Sequence, residues 1–241
     1  RIKRADRLLS NPHLVSETPL IYASICQLFC GNTTRPVISI DWSDLDDRKA
    51  HFLLRAAISL KGRPVTLYQE VHCNKTKEKP ATHKAFLKTL HAMLPSNCRP
   101  IIVTDAGYKS PWFRAVRALG WDIIGRIRKP HLYSLDRGDT WQCIRYLYTQ
   151  ATCRPKRFDN SQIVRSNPFA CTLVLFKQKS KGRHASNPDG TRKASKRSKA
   201  HAQGAKDPWL LATTLASHRS LSKQVVAIYR QRMQIEEGFR D

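Results

Sequence analysis

Residues 100–127 read PIIVTDAGYKSPWFRAVRALGWDIIGRI, and their order decides the fold. Ile101, Ile102 and Val103 form a short apolar run of strand type that ends in Asp105 and Gly107. Ser110 and Pro111 then open a helix, in the N-cap and first-turn positions those residues favour, and Gly120 closes it. WDIIGRI supplies another strand at once. Strand, helix and strand in so short a span is the alternation of an α/β sheet.

The same alternation extends upstream. VISID (37–41) is an apolar run ending on Asp41, and HFLLRAAISL (51–60) makes a second buried strand. In PVTLYQEV (64–71), Val65, Leu67, Gln69 and Val71 alternate with Thr66, Tyr68 and Glu70, the period of a third. Short connections join these three, so they are expected to be antiparallel. THKAFLKTLHAML (82–94) sets Phe86, Leu87, Leu90, Met93 and Leu94 on one helical face, with Thr82 as the expected N-cap and Pro95 as the stop. Residues 1–30 read as one or two short helices broken at Asn11-Pro12.

Downstream, between about residues 130 and 220, helical periodicity fades and strand-like pieces appear at Thr172–Phe176 and Trp209–Leu215. Between them, residues 177–206 hold ten Lys or Arg and one acid with no apolar period, the pattern of a mobile basic loop.

The chain of 241 residues carries 43 Lys and Arg against 18 Asp and Glu, a formal charge of +25. That field attracts polyanions, and nucleic acid is the expected partner class. No apolar run reaches the roughly 18 to 20 residues of a spanning helix, so no membrane partner is expected. The seven cysteines are scattered without a C-x-x-C pair, which predicts free, mostly buried thiols in a reducing compartment.

Asp41 and Asp105 each end an apolar strand, where open α/β sheets place their ligands. Two such aspartates on neighbouring strands suit divalent cations, which prefer oxygen ligands. A strand-end Asp is equally a turn or cap residue. Asp44, Asp46 and Asp47 fall in a polar turn and are expected to face solvent. The closing run IYRQRMQIEEGFRD (228–241) puts Tyr229, Arg232 and Glu236 within about 60° of one another on a helix. Read alone, Arg232 and Glu236 are also simply an i, i+4 ion pair.

Y-x2-R-x3-E, read as Tyr229, Arg232 and Glu236, resembles the YREK signature of DDE transposases of the insertion-sequence-four family. IDWSDL (40–45), GRPVTLY (62–68), LPSNCRPIIVTDAGYKSPWF (94–113), SNPFACTLVLFKQKSKGR (166–183), DPWLLATTL (207–215) and RMQIEEGFRD (232–241) extend the likeness over nearly the whole chain. The resemblance implies an α/β, ribonuclease-H-like mixed sheet with flanking helices, interrupted by a mostly β insertion. Asp41, Asp105 and Glu236 match the family's catalytic, metal-binding carboxylates, which hold two Mg²⁺ ions, for which Mn²⁺ can substitute. Tyr229 and Arg232 match residues that contact DNA near the cleaved end, and Trp209 matches a tryptophan that receives a flipped base. Lys177, Lys179, Lys181 and Arg183 in the basic loop become phosphate contacts.

The implied function is cut-and-paste transposition: metal-dependent cleavage of double-stranded DNA at transposon ends through a hairpin, then strand transfer to target DNA. The implied setting is the bacterial cytoplasm, on the nucleoid, with possible self-association on DNA. The expected domains are residues 1–35, a helical remnant of a DNA-binding region; 36–130, the first part of the catalytic core; 131–218, a β-rich insertion; and 219–241, the helix of the third carboxylate. The signature's lysine would fall two positions past Asp241, and the chain reads as a fragment of a longer protein. Two alternatives stay open: a truncated, catalytically weak DNA-binding fragment, and another ribonuclease-H-like endonuclease.

Overall fold

The computed structural model describes residues 7, 10–60, 63–128, 130–178, 191 and 207–238. They fall into two compact units, residues 1–123 with 230–241, and residues 124–229.

The first unit begins with α1 (Pro12–Cys30), one helix opened by Pro12 and capped by the Asn11 side chain, which accepts from the His13 N–H. The expected break at Asn11-Pro12 is thus a helix start. Next come β1 (Val37–Asp44), β2 (His51–Ser59) and β3 (Pro64–Cys73), an antiparallel meander as predicted. Then follow α2 (Pro80–Met93), β4 (Ile101–Thr104) and α3 (Ser110–Ala118). The strand order is β3-β2-β1-β4, with β4 parallel to β1. Three antiparallel strands, a parallel fourth and flanking helices make the mixed α/β arrangement expected of a ribonuclease-H-like fold. Phe86, Leu87 and Leu90 of α2 and Trp112, Phe113 and Val116 of α3 are buried with Ile38, Ile40, Leu54 and Ile102 of the strands, and together they form the core.

Two helix starts differ from the reading of the sequence. Pro80 opens α2 before Thr82, whose hydroxyl donates to the Thr76 carbonyl and does not cap. Likewise Ser110 is the first helical residue of α3, and extended Lys109 takes the cap position. Gly120 does close α3, at φ +72°, a left-handed conformation that favours glycine.

The second unit contains most of β5 (Asp122–Ile127), β6 (Leu132–Ser134), β7 (Gln142–Cys143), the single turn α4 (Arg145–Tyr148), β8 (Lys156–Ile163), β9 (Phe169–Phe176), β10 (Trp209–Thr213) and most of α5 (Leu221–Gln231). Its strands run β5-β10-β9-β8-β6-β7, and the pairs β5–β10, β10–β9, β9–β8, β8–β6 and β6–β7 are antiparallel. The β character of this region was legible; β6 to β8 were not, because their side chains lack a clean alternation. After α5 the chain returns to the first unit as α6 (Met233–Gly238), so the closing run is two helices with a turn at Arg232.

All seven cysteines are free, but only Cys26, Cys30 and Cys98 are buried, while Cys73 and Cys153 are exposed. The expectation that most are buried is corrected: residues on edge turns need no apolar surroundings. Among the described residues no helix is long and apolar enough to cross a membrane.

Candidate active site

The parallel pairing of β1 with β4 sets Ile38 beside Ile102 and Ser39 beside Val103. Two residues further along stand Asp41 and Asp105: Asp105 just past the end of β4, as expected, but Asp41 inside β1, because the ladder with β2 carries that strand on to Asp44. A parallel register keeps equal steps level, so the two carboxylates emerge at the same height from neighbouring strands, at the carboxyl end of β4. Asp41 is held from its own backbone, because Oδ1 accepts the Trp42 N–H at 2.9 Å. Asp105 folds over its turn in the same way and accepts the Gly107 N–H at 2.7 Å.

The third acid arrives from the far end of the chain. Arg232, buried in the turn between α5 and α6, donates from Nη1 to Asp41 Oδ2 at 2.9 Å and from Nη2 to Glu236 Oε1 at 2.6 Å. One planar guanidinium thus spans two carboxylates, a geometry that a lysine cannot copy. The seat of α6 is fixed at its other end, where Arg55 of β2 donates to the Gly238 carbonyl at 2.8 Å and satisfies a terminal helix acceptor. Gly238 is required there: a Cβ would stand 2.6 Å from the Pro64 ring at the start of β3.

Burial raises the Asp41 pKa to about 7, and the Asp105 charge adds to the rise; Arg232, the Trp42 N–H bond and Glu236 act more weakly. Asp41 therefore holds a proton more tightly than an exposed carboxylate even with Arg232 in place. Such a shift is what an added cation would reverse.

A wall of rings lies beside these acids, hardly foreshadowed by the sequence. The Trp42 indole N–H donates to His83 Nε2 at 3.1 Å. His83 stacks on Tyr108 with centroids 5.2 Å apart and meets Trp112 edge-on at 5.1 Å. The Tyr108 hydroxyl is buried without a hydrogen-bond partner among the described residues, and burial followed by the Asp41 and Asp105 charges keeps it protonated well above the usual phenol range. The only sequence signal was position: Trp42 directly follows Asp41, and Tyr108 comes three residues after Asp105.

A family model described as the transposase DDE domain matches residues 33–241. The chain belongs to the DDE transposase family. It is accordingly a DNA-transposition domain, whose family implies nuclease and transesterase activity on a DNA substrate. No curated protein and no solved structure matches it.

DDE transposases typically use a divalent metal. Asp41, Asp105 and Glu236 offer only hard oxygen donors, and their chemistry fits such an ion. Among the described residues, however, no group of three or more His, Cys, Asp or Glu side chains is gathered closely enough to hold one. The cation that Asp41 and Glu236 share is Arg232, and one Asp105 oxygen is engaged by its own turn.

The remaining sequence-predicted residues lie elsewhere. Trp209 and Tyr229 belong to the second unit of the transposase, where their rings meet edge-on at 4.9 Å; Phe176 approaches the indole at 5.8 Å. Tyr229 is buried, while Trp209 keeps a partly exposed face. Lys177 is exposed just after β9. Lys179, Lys181 and Arg183, with most of the basic segment, lie outside the described residues. Asp44 pairs with Lys49 and Lys77 at the exposed end of β1, as its polar turn suggested.

Proposed function

We propose that the chain is the catalytic region of a cut-and-paste transposase of insertion-sequence-four type, with Asp41, Asp105 and Glu236 as its catalytic carboxylates. Its sequence strings look very close to those of the transposase of the insertion sequence that flanks the tetracycline-resistance transposon. The observation that carries the reading is the level pair of Asp41 and Asp105 on parallel neighbours, tied to Glu236 through Arg232. The same three residues would hold Mg²⁺, as two ions, or Mn²⁺ in its place. Divalent metal supplies activation of water or of a 3′-hydroxyl and charge stabilisation at the leaving oxygen.

The chain's own residues do the rest. Asp41 is buried and holds its proton up to near neutral pH, so a bound cation would displace that proton. Arg232 can exchange its carboxylate partners for phosphate oxygens, since its planar fork of N–H donors matches either acceptor. Tyr229 and Arg232 then grip the strand next to the cut. In this reading nicking exposes a 3′-hydroxyl, its attack on the opposite strand closes a hairpin, and a base leaves the hairpin tip to stack on Trp209. Opening of the hairpin and joining to target DNA follow at the same carboxylates. Lys177, Lys179, Lys181 and Arg183 track phosphates without reading sequence. The domain limits stated from the sequence, self-association on DNA and residence at the bacterial nucleoid belong to the same proposal.

The test is nicking of supercoiled plasmid by this chain with Mg²⁺ or Mn²⁺, beside Asp105→Asn. Nicking that the substitution abolishes supports the reading. Intact, salt-sensitive plasmid binding without metal-dependent nicking overturns it in favour of a DNA-binding fragment.

A further inference from the structure

We propose that His83 is a positioning residue for Asp41: it accepts the indole N–H of Trp42, the residue whose backbone N–H fixes one Asp41 oxygen. The inference rests on the proposed function, since it needs Asp41 to be catalytic.

The chain of contacts is short. His83 Nε2 takes the Trp42 indole hydrogen at 3.1 Å, and the Trp42 backbone N–H reaches Asp41 Oδ1 at 2.9 Å. The imidazole itself cannot wander. It is 7 % exposed, stacked on Tyr108 and edge-on to Trp112, both of them buried rings of the α3 region. On its other side Trp42 meets the ring of His72, at 5.3 Å between centroids. His72 is anchored in turn on Glu70 Oε2 at 2.8 Å, and Glu70 also accepts the Tyr68 hydroxyl. Two histidines, one from β3 and one from α2, therefore hold the indole that follows Asp41.

Packing alone does not require this. A phenylalanine at position 83 would fill the space between Tyr108, Trp112 and Trp42 without desolvating a polar ring. The imidazole adds one thing, an acceptor aimed at the indole. Burial, with the nearby His72 adding to it, lowers the His83 pKa to about 4, so near neutral pH the ring is unprotonated and Nε2 is available to accept. A carboxylate that must present the same oxygen through several chemical steps gains from such a fixed neighbour.

The experiment is plasmid nicking with Mn²⁺, read as the rate at saturating DNA and separately as plasmid affinity. Variants are His83→Phe, His83→Gln, Trp42→Phe and the double Trp42→Phe/His83→Phe, with wild type and Asp105→Asn as controls. His83→Phe keeps the ring but loses the acceptor, and its rate is expected to fall roughly ten- to hundredfold, the scale of a sub-ångström to ångström misplacement. Affinity stays as in wild type. His83→Gln restores an acceptor at the Nε2 position and returns to within about threefold of wild type. Trp42→Phe falls like His83→Phe, and the double variant is no worse than either single, because one hydrogen bond is lost in each. If His83→Phe fails to fold by thermal melt, Trp42→Phe carries the test.

A His83→Phe rate equal to wild type, a His83→Gln rate as low as His83→Phe, or a double variant whose losses multiply overturns the inference while leaving the proposed function standing. Wild type that binds plasmid and never nicks it overturns both.

Discussion

Arg232 follows Asp41 by 191 residues in the chain and donates to it at 2.9 Å. The side chains are 8 % and 14 % exposed, so the pair is nearly dry. A second bond from the same guanidinium reaches Glu236. The contact thus ties the last described helix to the first strand of the sheet, and it makes Arg232 the counter-charge of the candidate site.

Removing that charge is costly. Arg232→Ala leaves Asp41 buried beside Asp105 with no cation, and loss of one partner of a buried pair costs about 3–5 kcal/mol. Urea unfolding is expected to show a lower midpoint with an unchanged slope. Arg232→Lys keeps the charge but cannot bridge both acids, and it falls between. An Arg232→Ala midpoint equal to wild type would remove Arg232 from its structural role.

Stability depends on pH through Asp41. Burial raises its pKa to about 7 in the folded chain, from the ordinary aspartate value of 3.8. The folded state therefore binds the proton more tightly than the unfolded chain, and stability falls as pH rises from about 4 to about 7. Asp41→Asn flattens that part of the profile. A divalent ion favours the ionised form, so Mg²⁺ is expected to raise the melting temperature more at pH 8 than at pH 5. Equal shifts at both pH values would separate Asp41 from metal binding.

Gly238→Ala probes the seat of α6. Its new Cβ would lie 2.6 Å from a ring carbon of Pro64, which has no flexible end to yield, so α6 must move away from β3. With it moves the helix that carries Glu236. Nicking is expected to drop roughly tenfold or more, as for small misplacements of catalytic groups, while plasmid binding persists. Full activity would show that the approach of Gly238 to Pro64 does not set the position of Glu236.

Trp209→Ala separates hairpin formation from the first cut. Stacking of a base on an aromatic ring is worth about 1–3 kcal/mol. Hairpin yield on a linear end is expected to fall by the corresponding factor, from about fivefold upward, with first-strand nicking unchanged. Normal hairpins would return Trp209 to the ring cluster with Phe176 and Tyr229, and would move weight to another kind of ribonuclease-H-like endonuclease.

Much of the first unit could be read from the chain because its elements are regular. VISID and IIVT are continuous apolar runs, α2 has an unbroken apolar face, and Gly120 marks the end of α3. Asp105 was legible as a strand-end acid, whereas Asp41, read the same way, lies inside β1, which runs on to Asp44; Glu236 was singled out by the likeness of its spacing from Tyr229 and Arg232 to the family signature. The sequence did not reveal that Arg232 faces Asp41 as well as Glu236, since an i, i+4 spacing says nothing about a partner on a distant strand. The helix break at Arg232 was equally hidden: no Pro or Gly interrupts RQRMQIE, and tertiary pull overrides propensity there. The rings around His83 stayed invisible because Trp42, His83 and Tyr108 come together from three separate elements. Helix caps failed for a local reason, as Pro80 and Lys109 start their helices ahead of the hydroxyl residues expected to cap them.

The most direct test compares Glu236→Gln with Glu237→Gln in metal-dependent nicking of supercoiled plasmid. Glu236 is the acid that Arg232 joins to Asp41. Glu236→Gln is expected to lose at least about a hundredfold in rate, the scale of a missing transition-state contact, with plasmid binding retained, and Glu237→Gln to nick like wild type. The reverse pattern, or a Glu236→Gln chain that nicks at the wild-type rate, would contradict the assignment of Asp41, Asp105 and Glu236 as one catalytic site.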